Sequence, residues 1–189
     1  MNAARVLVPL AAAAVFAAGC GDNKKSDSGS KSSGTNAATT PAATTTQAAA
    51  PKATSGQAPA VGNAKDLGSK PSIAKPQGDP PTSLIKKDLV VGKGAAIKKG
   101  QLATVQYVGV SWSTGQEFDA SWDRGQPFQF PVGQQQVISG WDNGVPGMKV
   151  GGRRELVIPP DQGYGAQGAG GAIGPNETLV FVVDLKRIG

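Results

Sequence analysis

Residues 102–109 read Leu-Ala-Thr-Val-Gln-Tyr-Val-Gly, and the alternation inside them decides the fold class. Thr104 and Gln106 alternate with Val105 and Tyr107, the period-two pattern of a strand with one buried face. Downstream, Pro127-Phe128-Gln129-Phe130-Pro131 repeats the alternation. Two longer runs follow, residues 153–158 and 179–185, the second placing Leu179, Phe181, Val183 and Leu185 on one face. Too few residues separate these runs for repeated helical crossovers, so antiparallel pairing is expected. One short helix is expected from Ser139 to Gly144, with Ser139 as its N-cap and glycine at its end. The expectation is an α+β domain over residues 82–189, an antiparallel sheet of about five strands wrapped on one short helix.

The chain before residue 82 is of a different kind. Met1 to Arg5 is a short positive start, and the apolar run Val6–Ala18 has signal-peptide length, too short to span a bilayer as a helix. Residues 1–19 are therefore expected to be a signal peptide. Ala17-Ala18-Gly19-Cys20 resembles a lipobox, the motif at which bacterial lipoproteins are cleaved and lipidated, with Ala17 where leucine is more usual. The resemblance implies lipidation at Cys20, the sole cysteine, and an extracytoplasmic protein anchored to the cell membrane by lipid. An ordinary secretory signal with an incidental cysteine is the alternative. Residues 20–81 are rich in Ala, Thr, Ser, Lys and Pro, with Val61, Leu67 and Ile73 as the aliphatic exceptions. Such a composition cannot offset the entropy of folding, and a disordered tether is expected.

Charge and composition exclude several functions. The formal net charge is +6, spread as +3 over residues 21–80, +2 over residues 81–189 and one unit from Arg5. No dense basic stripe interleaved with aromatics results, so nucleic-acid binding is not expected. The chain has no histidine, which removes Ser-His-Asp and Cys-His nucleophiles and imidazole-based zinc sites. Any catalysis must work through shape, desolvation and hydrogen bonds; no metal and no cofactor are expected.

The order of several short motifs then carries a resemblance. Thr104–Gly109, Gly115–Ser121, Pro127–Phe130, Gln136–Asp142, Met148–Gly151, Ile158–Pro160, Tyr164-Gly165 and Pro175–Phe181 resemble, in that sequence, the FKBP-type peptidyl-prolyl isomerase family. The resemblance covers about a hundred residues and implies an isomerase acting on bonds that precede proline. It implies Trp141 as pocket floor and Tyr107, Phe118, Phe128, Val137, Ile138, Ile173 and Phe181 as walls. The Ile138 backbone N–H and the Tyr164 hydroxyl would bond peptide carbonyls, and Asp119 would act electrostatically, paired with Arg124. The same aromatics also fit a plain core, and the Asp119–Arg124 pair also fits a structural role. Trp112 and Trp122 either extend the binding surface or cover the core. The family departs from this chain at Ala169, where a larger ring is common, and at Gly174, where proline is usual. Four glycines between 168 and 174 lead to the expectation of a mobile rim. The implied partners are proline-containing unfolded or exported polypeptides, met by a monomer. The alternative function is a chaperone that binds proline segments with little isomerase activity.

Overall fold

The structure, a computed structural model, describes residues 56–189. In chain order it contains β1 (Val61–Gly62), β2 (Ser72–Ile73), β3 (Ile85–Val90), β4 (Leu102–Ser111), β5 (Glu117–Ala120), α1 (Ser121–Arg124), β6 (Phe128–Pro131), α2 (Ser139–Gly144), β7 (Gly152–Ile158) and β8 (Leu179–Ile188). Strands β3 to β8 form one antiparallel sheet in the order β3-β7-β8-β4-β5, with β6 paired to the first half of β4. The α+β expectation holds, with six strands in the sheet. β3 and β5 are additions, and so is α1, a single turn.

Helix α2 spans Ser139–Gly144 as expected, but Ser139 is its first residue and Ile138 is the N-cap. No side-chain cap bond forms there. The Ile138 carbonyl accepts the N–H groups of Trp141 at 2.9 Å and Asp142 at 3.3 Å, so the backbone itself starts the turn. The helix lies so close to β7 that a Cβ on Gly140 would meet Ile158 Cγ2 at 2.4 Å. Arg154 secures the far end, donating to the carbonyls of Gly144 at 2.8 Å and Pro146 at 3.2 Å while pairing with Asp88 at 2.6 Å.

Both faces of the sheet are buried, against the expectation of one. Val105, Tyr107, Leu156, Ile158, Phe181, Val183 and Leu185 point toward α2 and pack on Trp141, Val145 and Met148. The alternate residues Val108, Val110, Val157 and Val180 point the other way, into a second cluster with Trp112 and Ala120. Ala58, Ile73 and Trp122 pack against that second cluster. Trp112 and Trp122 therefore cover core on the back of the sheet.

The cover on the back is a segment expected to be tether. Residues 56–81 fold over the sheet, with β1 and β2 paired as a hairpin, Val61 opposite Ile73. The domain boundary at residue 82 is thus corrected, while residues 20–55 of the expected tether lie outside the described residues. Composition missed the segment because its attachment is mostly polar. Arg153, fully buried on β7, donates to the carbonyls of Asn63 at 2.5 Å and Ser69 at 3.1 Å, and its Nε and Nη2 grip Asp184 at 2.5 and 2.7 Å. Trp112 Nε1 donates to the Gly78 carbonyl at 3.2 Å, and Lys186 to that of Leu67 at 3.0 Å.

Beside Arg153, on the same face of β7, sits Glu155, whose side chain has no exposed surface and whose oxygens accept no hydrogen bond among the described residues. Lys87, opposite it in register, comes to 3.4 Å. Burial pushes the Glu155 carboxyl above the ordinary glutamate value, and the Lys87 charge opposes this only in part. A carboxyl raised on folding supports the fold most when protonated, and that support is lost as pH rises through its folded value. Glu155→Leu is accordingly expected to raise the unfolding free energy by about 1–2 kcal/mol at pH 7, a buried charge giving way to an apolar side chain. The gain should shrink toward pH 4, which urea melts at the two pH values measure.

Candidate functional site

The site grows out of the α2 side of the sheet. Tyr107 on β4 and Phe181 on β8 alternate inward with their neighbours, and Phe128 enters from β6 and Trp141 from α2. Trp141 is 0% exposed and lies at the centre of a ring of aromatic contacts. Its centroid is 5.2 Å from Tyr107, 5.3 Å from Phe181, 5.3 Å from Phe130 and 6.1 Å from Phe128, all edge-on. Edge-on rings direct a positive edge at a negative face, which favours this geometry over flat stacking. Phe118 extends the cluster through Phe181, at 5.5 Å. The Trp141 Nε1–H finds no acceptor among the described residues.

A polar triangle borders the rings. The Tyr107 hydroxyl donates to one Asp119 carboxylate oxygen and Arg124 donates to the other. Arg124 Nη2 also donates to the Tyr107 hydroxyl at 2.8 Å, its guanidinium standing 5.5 Å from the Tyr107 ring centroid. Burial, and then the hydrogen bond to Asp119, push the Tyr107 hydroxyl far above its ordinary value, so it remains a donor. Asp119 thus has both oxygens engaged, which suits an orienting charge and not a free base. Turn α1, directly after β5, brings Arg124 back to Asp119 five residues earlier.

Residues expected at the site converge. Tyr107, Trp141, Ile173 and Phe181 are buried in one cluster, and Phe118, Phe128, Val137, Ile138 and Tyr164 are partly buried against it. Burial and the Asp119 charge push the Tyr164 hydroxyl up to about 12, which puts this hydroxyl within the field of the polar triangle. Neither the Tyr164 hydroxyl nor the Ile138 N–H is hydrogen-bonded among the described residues. Cys20 lies outside the described residues. Phe130 was missed: it is 2% exposed, stacks on Phe128 at 5.7 Å and touches Trp141. Its spacing of two from Phe128 on one strand was the available signal.

The glycine-rich rim holds a defined turn. Ala169 and Ile173 exchange two backbone hydrogen bonds, at 2.9 and 3.0 Å, closing a small hairpin over the aromatic cluster. Gly168 permits this closure, since at φ 63° a Cβ would lie 2.3 Å from the Ile173 carbonyl oxygen. A surface cleft of about 520 Å³ between Pro80–Thr82 and Pro159–Asp161 lies outside the aromatic cluster.

Comparison with known proteins matches residues 93–186 to the FKBP-type peptidyl-prolyl cis-trans isomerase family. An FK506-binding protein of Streptomyces anulatus is 59% identical over 120 residues, which is 63% of this chain and 97% of that protein. A probable FK506-binding protein of Corynebacterium glutamicum is 51% identical over 116 residues, 61% of this chain and 96% of the other. Among solved structures, AtFKBP13 aligns with a TM-score of 0.53 at 39% identity, over 58% of this chain and 95% of its own. FkpA from Escherichia coli aligns at 0.52 and 40% identity, over 57% of this chain and 48% of its own. With this fold, this ordered set of residues and relatives that the chain covers almost end to end, the chain belongs to the FKBP-type peptidyl-prolyl cis-trans isomerase family.

Proposed function

We propose that the domain catalyses cis/trans isomerisation of Xaa-Pro bonds in exported polypeptides by desolvating and twisting the imide over Trp141. The observation that carries this reading is the pairing of the Trp141 aromatic cluster with two unengaged donors, the Ile138 N–H and the Tyr164 hydroxyl. Rotation about a planar peptide bond meets a barrier of about 18–20 kcal/mol because amide resonance is lost. The twisted state is less polar than the planar one, so a water-poor aromatic site favours it by differential binding. The two donors hold the flanking carbonyls while the bond turns, and Asp119, gripped by Tyr107 and Arg124, contributes a fixed field. Because Trp141 is sealed, the proline ring enters through the partly exposed Phe128, Val137, Ile138, Tyr164 and Ala169.

A protease-free assay of a short Xaa-Pro peptide tests the reading in the full chain. Turnover no faster than the uncatalysed exchange would sink it. Tyr164→Phe removes one neutral donor and is expected to lower kcat/KM about three- to tenfold. Since the Tyr164 hydroxyl keeps its proton to about pH 12, the rate should be flat between pH 6 and 9.

The same proposal places the protein outside the cytoplasm, tied to the membrane through lipidated Cys20 after removal of residues 1–19. The charged start, the apolar run and the motif ending at Cys20 support it. Cys20→Ser is expected to move the protein from the membrane fraction to the soluble one, and to abolish labelling by a radioactive fatty acid. Unchanged fractionation would refute the anchor.

A further inference from the structure

Between β6 and α2 the chain makes a loop, residues 132–138, that has little reason of its own to hold one shape. Gly133 and Gln135 both adopt left-handed backbone, with φ of 75° and 58°, and Gln135 carries a side chain there. The loop ends at Val137 and Ile138, both partly buried against the cluster that contains Trp141. Its entry is pinned by backbone bonds, Val132 N–H to the Gln101 carbonyl at 2.9 Å and Gly100 N–H to the Val132 carbonyl at 2.8 Å. Between Val132 and Ile138, the hydrogen bonds that fix it among the described residues come from one side chain.

That side chain is Asp142, in the first turn of α2 and adjacent to Trp141. One carboxylate oxygen accepts the Gly133 N–H at 2.7 Å, and the other accepts the Gln135 N–H at 2.8 Å. Asp142 is 7% exposed and forms no ion pair among the described residues, so its charge is met by loop amides. Charge-assisted bonds of this length are the strong kind, and two from one carboxylate fix direction as well as distance. Meanwhile the Asp142 backbone N–H and that of Trp141 both hold the Ile138 carbonyl. The loop is therefore closed onto α2 at both ends, and Ile138 is left with its carbonyl turned into the helix and its N–H without an acceptor among the described residues.

We infer that Asp142 is a positioning residue, whose carboxylate holds the 132–138 loop so that the Ile138 N–H meets the substrate carbonyl over Trp141. The inference rests on the isomerase reading for its substrate, and on the loop geometry for its mechanism. A donor that is already aimed binds without first ordering its loop, so its loss appears in binding. The donor serves the planar and the twisted substrate alike, so the loss belongs to KM and not to kcat.

The test uses Asp142→Asn in the full chain. The amide keeps one acceptor but turns an N–H2 group toward the second loop N–H, so one bond is lost. Hydrogen exchange at the Gly133 and Gln135 amides should quicken at least tenfold, with amides of β8 unchanged. With a blocked Ala-Leu-Pro-Phe peptide, KM should rise about five- to tenfold and kcat stay within twofold, and Asp142→Glu should recover part of the loss. Val157→Ala, which loosens the back of the sheet without touching the loop, is the control and should leave KM alone. Unchanged exchange, unchanged KM, or an equal rise in KM from Val157→Ala overturns the inference. If the wild-type chain does not turn the peptide over, the isomerase reading fails separately. The inference is then decided by the shift that the peptide induces at the Ile138 amide, which Asp142→Asn must weaken for it to stand.

Discussion

Arg153→Ala should lower the unfolding free energy of the chain by about 3–5 kcal/mol, the usual cost of breaking a buried ion pair from one side. Three groups lose their partner at once: the Asp184 carboxylate and the carbonyls of Asn63 and Ser69. Arg153 and Asp184 are themselves buried, at 0% and 1% exposure, so the cost is not that of a surface pair. Arg153→Lys keeps the charge but not the planar fork, and should recover less than half of the loss. In a chain begun at Thr82 the covering segment is gone, and solvent reaches Asp184. There Arg153→Ala should cost under half as much. Equal losses in the two chains, measured by urea melts, would falsify the view that Arg153 latches the segment.

The second large effect is on turnover. On the proposed mechanism, Trp141→Ala removes the floor on which the aromatic walls stand and should reduce kcat/KM at least a hundredfold, about 2.7 kcal/mol of transition-state stabilisation. It also opens a cavity among Tyr107, Phe130 and Phe181, with a stability loss of about 3–5 kcal/mol. Trp141→Phe separates the two consequences. It keeps an aromatic floor and most of the packing, so the fold should survive with intermediate activity. A fully active Trp141→Ala protein, shown folded by near-ultraviolet circular dichroism, would end the role of Trp141 as floor.

These residues were visible in the sequence to very different degrees. Tyr107 and Phe181 stand at period two in long strands, and Trp141 stands in the one segment with helix boundaries, so pattern alone brought them near one another. Tyr164 and Ile138 came from motif order, because a backbone N–H and a half-buried loop hydroxyl leave no periodic trace. The second core was legible in part. In Leu179-Val180-Phe181-Val182-Val183 the alternate positions are apolar too, which is how a strand buried on both faces reads. Residues 56–81 were not legible, since carbonyls of Asn63 and Ser69 belong to every sequence equally and only Arg153, ninety residues from Asn63, gives them a partner. Asp142 was hidden for the same reason, its partners being backbone N–H groups.

The closed ring of aromatics around Trp141 also divides the optical properties of the molecule. Trp141 has no contact with water, and its emission is set by the site alone. Trp112 and Trp122 sit on the opposite face of the sheet, Trp112 beneath residues 56–81 and Trp122 under the Lys186 ammonium, 5.8 Å from its ring. Two populations of indole thus report on two faces, the proposed peptide site on one side and the covering segment on the other. Replacing the back pair with phenylalanine leaves a single chromophore at the centre of the aromatic cluster, a native probe of the proposed site that needs no label.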